Sequence, residues 1–274
     1  MRDAQLNVYN VDRMLAQPPQ AFEALRVDPN NDCNVRCVYC HNHRSKERLA
    51  RSDFERFLAD HVTRVDFLQL GCVMEPTLDP RLTEFLRAAA DARVRPGSIA
   101  LQTNGILLHR HDHGVFRDAG LARIMVSVDS ARRETTKHLR GGTSLAKVRR
   151  NVEAVRERCP ATEVWFVTTV CRENLDQLED LVDLGLALGV HRFVLREIFH
   201  DPASDVVSHD AVRALLLDEG EFAAMEARLT EHVAGRAALD FNPVATLAAA
   251  DERIVRDSLR RDARPLVTRK SSEG

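Results

Sequence analysis

Three of the chain's six cysteines are crowded into eight consecutive positions, Cys33-Asn-Val-Arg-Cys37-Val-Tyr-Cys40. Thiolates bind soft metal centres, above all zinc and iron–sulfur clusters. Three sulfurs spaced C-x3-C-x2-C on one loop can wrap a compact cluster. They leave one iron of a cubane without a protein ligand, and that position is open to a substrate or cofactor. A closed structural zinc site takes four ligands, usually from two C-x2-C pairs. The chain has no second pair. His41 or His43 could supply a fourth ligand, so a zinc-binding structural or interaction protein is the alternative reading.

The loop needs a frame, and the flanking sequence supplies one. Apolar runs alternate with amphipathic stretches along residues 22–198. Strands are expected over 22–27, 65–70, 98–102, 122–128, 163–170 and 191–195. Between them lie helical patterns. Ser52 and Glu55 form a capping box ahead of a helix to about His61. Further helices are expected over 81–92, over 113–119 with Gly120 as the stop, and from Thr143 or Ser144 to about Arg158. Asn174, with Gln177 completing its box, reads as the cap of a helix that ends at Leu188 and Gly189. Repeated strand–helix order argues for parallel βα units with right-handed crossovers. About six units fit before residue 200, too few for an eight-unit barrel. The expected fold is α/β, a partial (β/α)6 TIM-like barrel over 1–200 with a C-terminal helical extension over 201–274 that covers it. One strand is expected near Leu239–Phe241, and the charged tail from about residue 260 is expected to fray. In such folds the chemistry gathers at the C-terminal ends of the strands.

Composition excludes several other classes. The 274 residues are 44% apolar and 29% charged, which is globular rather than disordered or fibrous. The net charge of -2 offers no basic excess to attract nucleic acid or an anionic membrane. The first residues lack an apolar signal region, and no apolar run is long enough to span a bilayer. A cytoplasmic location is therefore expected, where cysteines serve metals or catalysis more often than disulfides.

The cysteine loop, with Tyr39 before its third cysteine, resembles that of the radical S-adenosylmethionine superfamily. The resemblance continues in order. Gly71-Cys72-Val73-Met74-Glu75-Pro76 stands where the family carries Gly-Gly-Glu-Pro, with Cys-Val-Met in place of the glycine before Glu75. Thr103-Asn104-Gly105, Ser127-Val128-Asp129, Leu139-Arg140-Gly141-Gly142 and the stretch from Val170 to Leu178 also match. It implies a 4Fe-4S cluster on Cys33, Cys37 and Cys40, with S-adenosylmethionine on the fourth iron. Reductive cleavage would give a 5′-deoxyadenosyl radical that takes a hydrogen atom from substrate. The cofactors carry that chemistry, and the protein positions the reacting carbon.

Each further residue then has an expected role. Tyr39 suits adenine contact, or packs the loop. Glu75 could accept from the cofactor's ammonium. Asn104, Ser127 and Asp129 suit hydrogen bonds to ribose or the methionine moiety, and Asn104 also reads as a turn residue ahead of Gly105. Arg140 could pair with the cofactor carboxylate. Cys171, expected at the barrel mouth, could hand a hydrogen atom to a substrate radical, as in epimerase-type members; it also reads as a small buried hydrophobe. Cys72 carries the same two readings, and Cys159 reads as structural. His41, His43, Arg196 and Glu197 are candidate substrate contacts. His109, His111 and His113 alternate and could present two imidazoles to a metal, but such a run reads first as a solvated loop.

No cysteine follows Cys171 to hold an auxiliary cluster, and about 75 residues after His200 are too few for a separate cobalamin domain. No peptide-recognition domain is apparent ahead of the barrel. A small-molecule biosynthetic substrate is expected, undergoing net epimerisation, dehydrogenation, rearrangement or carbon–carbon bond formation. A maturase acting on a short peptide is the alternative. The expected electron donor is a flavodoxin or ferredoxin.

Overall fold

The computed structural model describes residues 3–16, 22–61, 65–92, 94 and 98–242. The elements run β1 (Asp3–Leu6), α1 (Val11–Ala16), β2 (Phe22–Val27), α2 (Arg51–His61), β3 (Val65–Leu70), α3 (Leu82–Asp91) and β4 (Ile99–Thr103). They continue with α4 (His113–Asp118), β5 (Leu121–Ser127), α5 (Arg133–Leu139), α6 (Leu145–Arg158), β6 (Glu163–Val170), α7 (Leu178–Ala187) and β7 (Arg192–Glu197). The last are α8 (His209–Leu215), α9 (Glu219–Val233) and β8 (Ala238–Asn242). All eight strands lie in one sheet in chain order, each parallel to its neighbours. The architecture is a partial TIM-like barrel.

Sequence reasoning expected six barrel strands and one more in the C-terminal extension, and a single sheet holds eight. The added ones are its edges. β1 is four residues, Asp-Ala-Gln-Leu, with no apolar run to announce it. The strand expected near Leu239–Phe241 is β8, paired to β7 from Arg192↔Ala238 to Arg196↔Asn242. The segment after residue 200 thus adds to the barrel wall as well as contributing α8 and α9. The tail from about residue 260 lies outside the described residues.

Strand alternation divides the side chains between two cores. Outward positions such as Leu68, Leu101, Ile124, Phe166 and Phe193 pack under the helices against Phe54, Phe85, Val152 and Leu181. Full burial of each such side chain contributes about 1.5–3 kcal/mol relative to exposure. Inward positions form a smaller group of Ala100, Met125, Val167 and Val194 beside Phe67 and Trp165. Below them, toward the strand N-termini, Arg123 stacks on Phe67 and Trp165, and Arg192 stacks on Trp165 while pairing with Asp240 at 2.9 Å. Those groups occupy the barrel interior at its lower end, where a separate hollow opens at the rim beside Trp165 and Arg192; the cavity lined by the cysteine loop lies at the strand C-termini.

Four local expectations change. α2 begins at Arg51, so Ser52 lies within its first turn instead of capping it, and Glu55 accepts from Arg51 Nε (2.7 Å). Ser144 stands ahead of α6 without a side-chain cap bond. Asn174 makes no side-chain cap bond; a 3-10 turn over Leu175–Gln177 precedes α7, and Asn174 and Gln177 bond to other elements instead. His111 and His113 are buried rather than solvated, holding the carbonyls of Thr77 (2.9 Å) and Leu108 (3.1 Å). Only His109 of the three is exposed.

Candidate active site

The cysteine loop follows β2 directly. Cys33, Cys37 and Cys40 are free thiols, partly buried, and all three line a cavity of about 250 Å³ at the strand C-termini. The loop has little regular structure, so its shape comes from bonds to other segments. Asp32 accepts from the Cys33 amide (2.9 Å), and the Asp32 carbonyl accepts from the Glu75 amide (3.0 Å). The Arg36 and Val38 amides donate to the carbonyls of Gly141 (3.3 Å) and Leu139 (3.0 Å). That approach is tight. Gly141 has φ +38°, and a Cβ there would stand 1.9 Å from the Arg36 carbonyl oxygen. Only glycine fits.

Burial raises the Cys33 thiol and pushes Cys37 up to about 11, with the Arg140 charge opposing the shift at Cys37. Each of these thiols also feels the Cys40 thiol. Among the described residues no three His, Cys, Asp or Glu side chains are gathered tightly enough for a single metal ion. A lone zinc needs its ligands about 2.0–2.3 Å from one point. Three neighbouring thiols facing one cavity supply the donor set of a 4Fe-4S cluster with one iron left open. The Nε of Arg140, buried with no hydrogen-bond partner, leaves a donor beside the same cavity for an anionic cofactor group.

Asp129 is fully buried and does not line the cavity. Its carboxylate accepts from the Tyr39 hydroxyl, from Arg140 Nη2 (2.9 Å) and from the Thr169 amide (2.9 Å). Asn174 Nδ2 donates to the Asp129 carbonyl (2.8 Å), and Gln177 accepts from the neighbouring Ser130 hydroxyl (2.6 Å). The geometry therefore gives Asp129 the work of fixing Tyr39 and Arg140, which do line the cavity, rather than a direct cofactor contact. Burial works against the Arg140 charge, but Asp129, Tyr39 and Cys37 outweigh it and leave the guanidinium firmly protonated.

Glu75 sits at the cavity's other wall, ahead of a 3-10 turn over Pro76–Leu78. Its Oε1 accepts from the Thr77 amide (3.1 Å), Thr77 Oγ1 (2.5 Å) and Thr103 Oγ1 (2.6 Å), and Oε2 accepts from the Asn104 amide (2.7 Å). Burial raises its pKa despite those bonds. Asn104 Nδ2 donates to Asn34 Oδ1 (2.7 Å), tying the β4 end to the cysteine loop. The departure at Cys72-Val73-Met74 has its own brace: Asp28 accepts from the Cys72 (2.8 Å) and Met74 (3.2 Å) amides. Gly71, at φ +80°, passes so near β4 that a Cβ would meet the Gln102 carbonyl oxygen at 2.4 Å.

Ser127, Thr169, Arg196 and Glu197 line the cavity from the ends of β5, β6 and β7. His41 lines it too, with its ring edge-on to Phe199 at 5.5 Å. His43 does not; it faces outward and pairs with exposed Asp205 at 2.8 Å. Cys171 is also apart from the cavity lining, fully buried against Leu139, Ile198, Val212 and Leu215. Burial pushes its thiol up to about 11. Cys72 is the ambiguous thiol that lines the cavity. Cys159 is buried and donates to the His113 carbonyl (3.2 Å). Sequence reasoning missed Gln102, Thr103, Thr169 and Asp28; period-two alternation carried to each strand end points to Gln102 and Thr169.

Similar proteins fit this geometry. The sequence model of the "Radical SAM superfamily" matches residues 27–185. A "Probable GTP 3′,8-cyclase" of Methanococcus maripaludis is 26% identical over 72% of this chain and 65% of its own length. "GTP 3′,8-cyclase 1" of Mycobacterium tuberculosis is 31% identical over 62% of this chain and 50% of its own. The chain thus spans between half and two thirds of those relatives. Among solved structures, Streptococcus suis SuiB bound to S-adenosylmethionine aligns at TM-score 0.66 and 16% identity, over 86% of this chain and 53% of that one. Native anSMEcpe with bound AdoMet and Cp18Cys peptide aligns at TM-score 0.59 and 16% identity, over 79% and 62%. Those two likenesses concern the fold. With the family model covering more than half of its length and the cysteine loop in its expected frame, this chain belongs to the radical SAM superfamily of enzymes, whose cofactors are a 4Fe-4S cluster and S-adenosylmethionine.

Proposed function

We propose that the chain abstracts a hydrogen atom from a small-molecule biosynthetic substrate, using a cluster held by Cys33, Cys37 and Cys40. The observation that carries this reading is the convergence of all three thiols with Glu75, Asn104, Ser127 and Arg140 on one cavity. When bound, the cofactors supply a 5′-deoxyadenosyl radical. The chain's own work is placement. Glu75, set by Thr77, Thr103 and Asn104, is positioned to accept from the cofactor's ammonium group. Arg140 offers its unpartnered Nε to the cofactor carboxylate while Asp129 holds its Nη2. Tyr39, pinned by the same aspartate, presents its ring from between two cysteines. Cys171 acts as packing under Tyr39 and Leu139, not as a hydrogen donor.

The relatives named GTP 3′,8-cyclase act, by that name, on a nucleotide, which favours a small molecule over a peptide. SuiB bound to precursor peptide SuiA shares only the fold. A low-potential donor such as a flavodoxin or ferredoxin would supply the electron. Anaerobic reconstitution tests the reading. About four irons and four sulfides per chain are expected, with dithionite-dependent formation of methionine and 5′-deoxyadenosine. GTP is the first substrate to try, deuterated at the ribose, with transfer of the label into 5′-deoxyadenosine as the readout. Stoichiometric zinc without cofactor cleavage overturns it.

A further inference from the structure

Alternation along β7 turns Arg196 to the barrel interior, since Val194 two residues earlier belongs to the inward group. Arg196 lines the cavity, where its inward counterparts are neutral: Gln102, Ser127 and Thr169. The other arginines of this cavity are committed, Arg140 to Asp129 and Arg44 to the Cys33 carbonyl (3.1 Å). Arg196 donates no hydrogen bond to the described residues and makes no ion pair with them. Burial works against its charge, and Arg26 of β2 adds repulsion, which a nearby Cys72 only partly opposes. Of the cavity's carboxylates, Glu75 already accepts four bonds, and Glu197 lines the cavity beside Arg196 without a hydrogen bond or ion pair to it. A half-buried guanidinium on a cavity wall, with no partner oxygen among the described residues, is open to an anion. Its planar fork suits two oxygens of one group.

We propose that Arg196 anchors an anionic oxygen group of the substrate, a carboxylate or a phosphate, at the end of the cavity formed by β7. This rests on the reading of the cavity as the active site. The test is equilibrium binding of inorganic pyrophosphate and of malonate to the reconstituted holoenzyme with S-adenosylmethionine present, at constant ionic strength. Arg196→Gln and Arg196→Lys are compared with wild type, and folding is checked by circular dichroism. Wild type binds one of the two probes, and which one separates phosphate from carboxylate. Arg196→Gln weakens that binding by about tenfold or more, Arg196→Lys recovers part of it, and affinity for S-adenosylmethionine stays within about twofold. Binding of neither probe by wild type, or equal binding by Arg196→Gln, overturns the proposal. So does a loss confined to S-adenosylmethionine, which reassigns Arg196 to the cofactor. Anion binding needs no turnover. A protein that binds the probe through Arg196 yet cleaves no cofactor refutes the radical reading and leaves the anchor standing.

Discussion

At the lower end of the barrel Arg123 lies 5.3 Å from the Phe67 ring centre and 4.5 Å from that of Trp165, with Arg192 4.7 Å from Trp165. At the upper end Arg196 stands beside a cavity with no ring stacked on it among the described residues. One sheet carries both environments, along the same inward faces. The lower charges are covered by aromatic rings and Asp240, each cation–π contact contributing about 0.5–2 kcal/mol. The upper end holds its polar groups to neighbours at the back and leaves their cavity side open. A packed end resists unfolding; an open end awaits a ligand. Substitutions at the two ends should therefore separate stability from chemistry.

The largest functional loss is expected at the upper end. Cys37→Ala should reduce bound iron and dithionite-dependent cofactor cleavage to background, with the circular dichroism spectrum retained. An unfolded Cys37→Ala protein would break the comparison, because it would make the loop part of the fold's support. The largest stability loss is expected below. Trp165→Ala removes the half-buried ring between two guanidinium groups and should cost about 2–3 kcal/mol in urea unfolding, with affinity for S-adenosylmethionine retained below the transition. Gly141→Ala should fall between the two. It should cost about 1–3 kcal/mol and lower iron loading, because a Cβ cannot coexist with the Arg36 carbonyl.

Cys171→Ala gives the smallest effect at neutral pH and sharpens the comparison as pH rises. Burial raises this thiol from 9.0 to about 11, so the folded state holds its proton while the unfolded chain loses it. Its contribution is fully present below pH 9.0 and is lost as pH rises toward about 11. Wild-type stability should fall by up to about 2–3 kcal/mol more than that of Cys171→Ala across this window. Product formation at neutral pH should be unchanged. Loss of product with intact cofactor cleavage would restore the hydrogen-donor reading.

Most of this architecture could be read before the fold was known, for local reasons. C-x3-C-x2-C, Thr-Asn-Gly and Ser-Val-Asp lie at the ends of strands that their own apolar runs announce. What escaped depended on distant partners. Asn174 and Gln177 look like caps from their neighbours alone, but their side chains reach Asp129 and Ser130. Asp129 reads as a ligand until Tyr39 and Arg140 are seen to occupy its carboxylate. β1 is too short and too polar to declare itself, and needs β2 as its template. His43 and Cys171 sit close in sequence to residues of the site, yet the backbone turns one outward and buries the other.

The knot between Tyr39 and Asp129 joins residues 90 apart in the chain. On the ribosome, at roughly 5–20 residues per second, that interval lasts roughly 5–20 s. During it the three thiols have emerged without Asp129, Arg140 or Gly141 to hold their loop. A nascent chain is thus an ill-formed receiver for iron and sulfide, exposed to oxidation and to stray zinc. Delivery that waits until Gly141 has cleared the exit tunnel meets a finished socket, so the order of synthesis itself sets the earliest moment of faithful maturation.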